Sequence, residues 1–366
     1  MTKQIKTIGI LTGGGDCPGL NAVIRAVAKA AILDHGWNVV GIKDGYEGLI
    51  TGRWRRLRAH DVSGLLTLGG TILGTSNTAD PYAYAETVGG RLVRRDVSRR
   101  LLRNARQAGL DALFLIGGDG PLASAARLQR DGRPIVGLPK TSDNDLPGPD
   151  VTFGFDTAGS IAAEAIDRLH TTAESHHRVM VVEVMGRRAG WIALAAGLAG
   201  GGDVILIPEI PYRLEAVAAK IRERRRRGKA FSLVIAAEGA KPTGGEAVVR
   251  ALVARSADPV RLGGVGFVLA GQLENEAGAE TRAVVLGHVQ RGGTPTAADR
   301  ILATRLGDAA VRLAAEGAFG RMVAVRHGEV TSVPLDVPAR GPKLVPPDHP
   351  LIAAARAVGT SFGDEA

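Results

Sequence analysis

The sequence is poor in several things, and each shortage excludes something. One cysteine, Cys17, among 366 residues rules out an internal disulfide framework and fits a reducing compartment. Aromatic residues make up 4% of the chain, too little for the base-stacking platforms of single-strand nucleic-acid binders. No run approaches the roughly 20 consecutive apolar residues that a membrane span needs. The longest, Trp191–Ile207, is interrupted by glycines and by Asp203. The opening Met1-Thr2-Lys3-Gln4-Ile5-Lys6 leads directly into a strand-like run, so no leader peptide is expected and the chain reads as cytoplasmic. The 50 glycines and 18 prolines follow no fixed period, which excludes a collagen-like repeat.

What is present is a globular composition, 45% hydrophobic and 23% charged, with chain enough for one large or two ordinary domains. Lys and Arg number 46 against 37 Asp and Glu, a net charge of +9 that favours anionic partners. Phosphorylated metabolites fit that balance. Nucleic acid fits the charge but not the shortage of aromatics.

Short β-rich runs alternate with helical patterns. Strands are expected at Thr7–Leu11, Val39–Lys43, Ala112–Ile116, Pro134–Leu138, Val179–Val184, Val204–Ile207, Phe231–Ala236, Arg282–Leu286 and Met322–Val325. Helices are expected at Asn21–Leu33, Leu122–Gln129, Ala158–His170, Leu214–Arg227 and Ala297–Ala315, and a proline-rich loop over Val333–His349. Near-continuous apolar strands separated by helices predict a doubly wound α/β fold in two lobes, each a largely parallel sheet flanked by helices.

Three motifs fall where such strands end. Thr12-Gly13-Gly14-Gly15-Asp16 follows the first strand and leads into a helix, where bare backbone and free amides suit a phosphate. No Gly-Lys-Ser/Thr follows it, so it is not a Walker A loop. Ile116-Gly117-Gly118-Asp119-Gly120-Pro121 repeats the arrangement, with Pro121 suited to the helix start and Asp119 placed either to cap the helix or to hold Mg²⁺ against a phosphate. Lys140-Thr141-Ser142-Asp143-Asn144-Asp145 follows a third strand. In extended backbone Asp143 and Asp145 project together, one fit for a base and the other for a partner in a metal site. Each motif alone also reads as a polar turn. Their convergence on the carboxyl ends of parallel strands points to metal-assisted phosphoryl transfer.

The second half supplies cations. Arg178 precedes a strand that ends in Met185-Gly186-Arg187. Glu238 follows another strand, and Arg282, His288 and Arg291 lie along Glu280–Gly293. Arginine forks suit a sugar phosphate. Arg222–Lys229 reads as a solvated helix end, with an anion effector site between subunits as the alternative. Cys17 reads as a loop residue rather than a nucleophile, and His176 and His177 as surface residues.

On these residues the chain resembles the 6-phosphofructokinase family from about Ile5 to about Gly307. The matching pieces are Gly14-Gly15-Asp16, Gly45-Tyr46-Glu47-Gly48-Leu49, Gly69-Gly70-Thr71-Ile72-Leu73-Gly74, Ile116–Gly120, Lys140-Thr141, Asp143-Asn144-Asp145, Glu164–Leu169, Met185-Gly186-Arg187, Arg282, Leu286-Gly287-His288 and Gln290-Arg291-Gly292-Gly293. The resemblance implies an ATP-dependent kinase of fructose 6-phosphate, with Mg²⁺ as cofactor and Asp143 as the base at the sugar 1-hydroxyl. Asp119 would be the Mg²⁺-associated carboxylate, and Gly14, Gly15 and Gly118–Pro121 donor contacts. Thr141, Met185, Gly186, Arg187, Glu238, His288 and Arg291 would contact the sugar phosphate, with Thr141 and Arg187 also serving catalysis. Arg178 and Arg282 would reach a neighbouring subunit's site, which requires a homo-oligomer. The resemblance further implies a donor and Mg²⁺ domain over 1–154, rejoined by about 290–340, and a sugar-phosphate domain over 155–289 with about 341–366.

Two positions bear on the donor. A glycine at Gly120 leaves room for the nucleotide α-phosphate, whereas the lysine at Lys140 resembles the diphosphate users of the family. The steric argument at Gly120 ranks ATP first. Asn77, Lys43, Pro121 and Ser142 depart from the usual family residues. A diphosphate-dependent enzyme, a kinase of a related sugar phosphate such as sedoheptulose 7-phosphate, and a non-catalytic metabolite sensor remain as alternatives.

Overall fold

The computed structural model describes residues 5–254 and 259–365. Residues 1–4, on which the expectation of no leader peptide partly rests, lie outside them. The strands in chain order are β1 (Thr7–Gly13), β2 (Asn38–Ile42), β3 (Trp54–Leu57), β4 (Tyr84–Val88), β5 (Arg91–Arg95), β6 (Ala112–Gly117), β7 (Ile135–Pro139), β8 (Val179–Val184), β9 (Val204–Leu206), β10 (Ser232–Ala237), β11 (Val249–Leu252), β12 (Val260–Leu262), β13 (Thr281–Val285), β14 (Arg321–Arg326) and β15 (Glu329–Pro334). The helices are α1 (Leu20–Leu33), α2 (Tyr46–Thr51), α3 (Ser98–Gln107), α4 (Asp119–Arg130), α5 (Phe155–His176), α6 (Trp191–Ala199), α7 (Leu214–Arg226), α8 (Val265–Ala277), α9 (Ala297–Ala315) and α10 (Pro350–Ala357).

A seven-stranded sheet runs β15-β14-β7-β6-β1-β2-β3. It is parallel apart from its antiparallel edge strands β3 and β15. A four-stranded sheet, β13-β8-β10-β9, is parallel throughout. β1, β6, β7, β8 and β10 are apolar and almost wholly buried, as strands covered on both faces must be. On the large sheet α1 and α9 supply one buried layer, and α2, α3 and α4 the other. On the small sheet α5, α6 and α10 pack on one face, with α7 and α8 on the opposite face. The expected doubly wound α/β architecture in two lobes is therefore present.

Several local expectations need correcting. Val333 and Pro334 close strand β15 rather than opening a loop, because they pair with Met322 and Arg321. Helix α4 starts at Asp119, so Pro121 stands third in the helix, where its missing amide still loses no intrahelical bond. Two antiparallel ribbons, β4–β5 and β11–β12, were not expected. Among the described residues no helix is long and apolar enough to cross a membrane. The apolar stretch at Trp191–Ile207 is helix α6, a turn and strand β9.

Candidate active site

Parallel pairing puts the carboxyl ends of β1, β6 and β7 side by side, so that Gly14-Gly15, Gly118-Asp119 and Lys140–Asp145 leave the large sheet at one edge. The same logic in the small sheet gathers Met185–Arg187 after β8, Glu238 after β10 and His288 after β13. The two edges face each other across a cleft of about 1690 Å³. Ligands of open α/β sheets bind at this edge.

On the large-sheet side, Gly118 takes the N-cap position of α4 with no side-chain capping bond. Asp119 is thus not engaged as a cap; its side chain is 61% exposed into the cleft. Asp143 is buried, and its Oδ1 accepts a hydrogen bond from the Ser142 hydroxyl at 3.1 Å. The Thr141 hydroxyl bridges its neighbours, donating to Asp145 Oδ1 at 3.0 Å and accepting from the Asp143 amide at 3.1 Å. Burial, reinforced by the charges of Asp143 and Asp119, pushes Asp145 up to about 6. Asn144 between them lies in the left-handed region at φ 52°. Lys140 is nearly inaccessible, its Nζ donating to Gly15 O at 2.6 Å, and burial lowers its basicity.

On the small-sheet side, Arg187 also takes a left-handed backbone, at φ 51°. Its amide donates to Glu238 Oε1 at 2.8 Å, and its Nη1 lies 3.7 Å from Asp119 Oδ1. Burial pushes Glu238 up to about 7. Arg291 reaches over from the turn after β13. A Cβ at Gly15 would stand 2.7 Å from Arg291 Nη1, so glycine is needed there for the guanidinium to approach. Arg291 Nε is buried without a hydrogen-bond partner.

Thus Gly14, Gly15, Gly118–Pro121, Lys140, Thr141, Asp143, Met185, Arg187, Glu238, His288 and Arg291 all line one cleft. Gly186 sits in the same turn, where its carbonyl accepts from the Ala189 amide at 2.9 Å. Arg178 and Arg282 are not brought to it. They stand at the opposite ends of β8 and β13, sharing Glu280 at 2.9 and 2.6 Å. Cys17 is buried with its thiol pushed up to about 12, and His176 and His177 are exposed at the end of α5. In the Arg222–Lys229 run, Arg224 pairs with Asp203 and Arg227 with Glu223, each at 2.7 Å.

Sequence reasoning missed the supports of the site. The Thr75 hydroxyl donates to Gly14 O at 2.6 Å and Ser76 O accepts from the Gly14 amide at 3.0 Å, fixing the glycine turn. Tyr46 donates to Pro121 O at 2.9 Å. Glu209 accepts from the amides of Gly190 and Val345 at 3.0 and 2.9 Å. Tyr46 lay within a quoted motif; Glu209 carried no local signal.

The donor set for a metal is carboxylate oxygen. Among the described residues no group of three or more His, Cys, Asp or Glu forms a cage. One exposed carboxylate, Asp119, beside a crowded acidic turn fits Mg²⁺, which takes one or two carboxylates and completes its shell with phosphate and water.

A cleft of carboxylates, arginines and glycine turns between two parallel sheets defines an α/β protein that handles phosphate-bearing ligands. Residues 7–314 match the family model described as Phosphofructokinase. The chain is 51% identical to "ATP-dependent 6-phosphofructokinase 2" of Clostridium perfringens over the whole of both chains. It is 52% identical over 342 residues to the "Pyrophosphate--fructose 6-phosphate 1-phosphotransferase" of Amycolatopsis methanolica, covering 93% of this chain and 97% of that one. The phosphofructokinase structure from Saccharomyces cerevisiae superposes with a TM-score of 0.78 at 32% identity, covering 92% of this chain but 45% of the yeast one. The chain belongs to the phosphofructokinase family and is an enzyme, a phosphotransferase.

Proposed function

We propose that the enzyme transfers the terminal phosphoryl group of ATP to the 1-hydroxyl of fructose 6-phosphate, giving fructose 1,6-bisphosphate. The observation that carries this reading is the presence, within one cleft, of buried Asp143 and of exposed Asp119 beside the glycine turns, with Asp119 lying 3.7 Å from Arg187 of the small-sheet side. Asp143 takes the proton from the sugar hydroxyl. Arg187 and Arg291 bind the acceptor's phosphate and oppose charge on the moving group, so catalysis is positioning and electrostatics rather than covalent chemistry. Asp119 would hold Mg²⁺, which supplies charge neutralisation on the donor phosphates. The large-sheet lobe serves the donor and the small-sheet lobe the sugar phosphate. Arg178 and Arg282, on the far side of the small sheet, serve the site of a second copy of the chain.

ATP is favoured over diphosphate by Gly120. No atom lies within 4 Å of a Cβ built there, so the space beside Asp119 stays open for a longer donor. Lys140, the diphosphate-like residue, donates to Gly15 O with one of its three N–H groups and adds favourable charge without excluding ATP. A Gly120→Asp variant is expected to lose ATP use about 100-fold or more in kcat/KM through repulsion and lost space; retained ATP turnover refutes the assignment. Diphosphate remains the second reading because of the Amycolatopsis relative and Lys140 itself.

A further inference from the structure

The segment before α10 carries Lys343, about which the local sequence says nothing. Its ammonium has three donors, and all three are used: Asn144 Oδ1 at 3.0 Å, Pro149 O at 3.1 Å and Asp150 O at 2.9 Å. These acceptors are neutral. The lysine therefore gathers the two ends of the loop that follows Asp143 rather than neutralising a carboxylate.

The backbone of the same residue continues the tie. The Lys343 amide donates to Asp145 O at 2.6 Å, while its carbonyl accepts from Trp191 Nε1 at 2.8 Å. The Trp191 ring also lies 5.2 Å from the ammonium, within cation–π range. Trp191 opens α6 directly after the loop that carries Arg187. Two residues further on, the Val345 amide binds Glu209, whose carboxylate also holds the Gly190 amide. A strap of three residues thus holds the carboxylate turn of one lobe and the Arg187 loop of the other.

We propose that Lys343 is a positioning residue for phosphoryl transfer: it locks the Asp143-Asn144-Asp145 turn and registers it against the Arg187 loop. Asn144 is the point of leverage. A left-handed asparagine is strained relative to ordinary backbone, and its side-chain oxygen is held by Lys343 and, at 3.2 Å, by the Thr152 amide. Release of that oxygen lets the turn relax and swings the two flanking carboxylates away from the reacting groups. A misplacement of about 1 Å is enough to lower turnover by about 100-fold.

The inference rests on the proposed transfer, and its test separates the two. Lys343→Met keeps an unbranched stem one atom shorter and removes the donors. In steady-state assays with ATP and fructose 6-phosphate, kcat is expected to fall at least about tenfold while both KM values stay within about threefold. Hydrogen exchange is expected to quicken in 141–152 and not across the rest of the chain. A second variant, Trp191→Phe, keeps an aromatic ring and removes the indole N–H bond to the Lys343 carbonyl, and is expected to lower kcat by about fivefold. A smaller fall in Lys343→Met, or faster exchange throughout the chain, overturns the proposal. A wild-type enzyme silent with these substrates would overturn the donor and acceptor reading instead, and the exchange comparison still reads the tie.

Discussion

Arg187 and Asp119 face one another across the cleft, Nη1 3.7 Å from Oδ1, although they leave strands of different sheets. In the proposed function the pair marks where a donor held by the large-sheet lobe would meet an acceptor held by the small-sheet lobe. Both side chains are partly solvent-exposed, so their value lies in placement more than in stability.

Asp143→Asn keeps the shape of the carboxylate and removes the proposed base. Turnover is expected to fall about 10²–10⁴-fold, with ATP and fructose 6-phosphate both still binding by calorimetry. Unchanged turnover would remove Asp143 from the mechanism.

Glu238 gives a pH signature in stability. Its folded value of about 7 exceeds the ordinary glutamate value, about 4.3 in unfolded chains. Between those values the folded chain holds more protons than the unfolded one, so stability declines as pH rises through that window and is level above it. Relative to wild type, Glu238→Gln should therefore gain stability from acid to alkaline pH, by at most about 4 kcal/mol. Urea unfolding of both proteins at the two ends of the window checks the sign; a constant difference contradicts it.

Gly15→Ala puts a methyl where Arg291 Nη1 now lies. The guanidinium is the flexible partner and moves aside, so the fold survives. KM for fructose 6-phosphate is expected to rise about tenfold through loss of a charge-assisted contact, with the melting temperature unchanged. An unaltered KM would show that Arg291 does not contact the sugar phosphate.

Arg178 and Arg282 yield a complementation test. Under the proposed sharing of sites between copies of the chain, Asp143→Asn and Arg282→Ala proteins, each inactive alone, should regain about a quarter of wild-type activity after random subunit exchange, because half of the site-sharing pairs are mixed and one of the two sites in each is intact. No recovery after verified subunit exchange would place Arg282 outside any partner's site.

Much of this site was legible in the sequence because parallel sheets deliver it in a regular way. Motifs directly after apolar parallel strands must emerge at the carboxyl edge of their own sheet, as Asp119 and Asp143 do on the large sheet and Arg187 and Glu238 on the small one. The β4–β5 ribbon does carry a local signal: Gly89-Gly90, both at positive φ (56° and 78°), forms a tight hairpin turn between Tyr84–Val88 and Arg91–Arg95. Lys343 and Glu209 had none. Their partners lie more than a hundred residues away in sequence, apart from Gly190, and no periodicity encodes a bond of that range. Helix α4 starts three residues before the expected Leu122 because Gly120 and Pro121, poor residues inside a helix, are tolerated in its first turn.

The most direct test of the account is turnover of fructose 6-phosphate by the purified enzyme with Mg²⁺, comparing ATP with diphosphate at matched concentrations. Activity with ATP and at least about tenfold lower kcat/KM with diphosphate is expected, from the open space at Gly120. Activity with diphosphate alone would contradict it and reverse the ranking of those two residues.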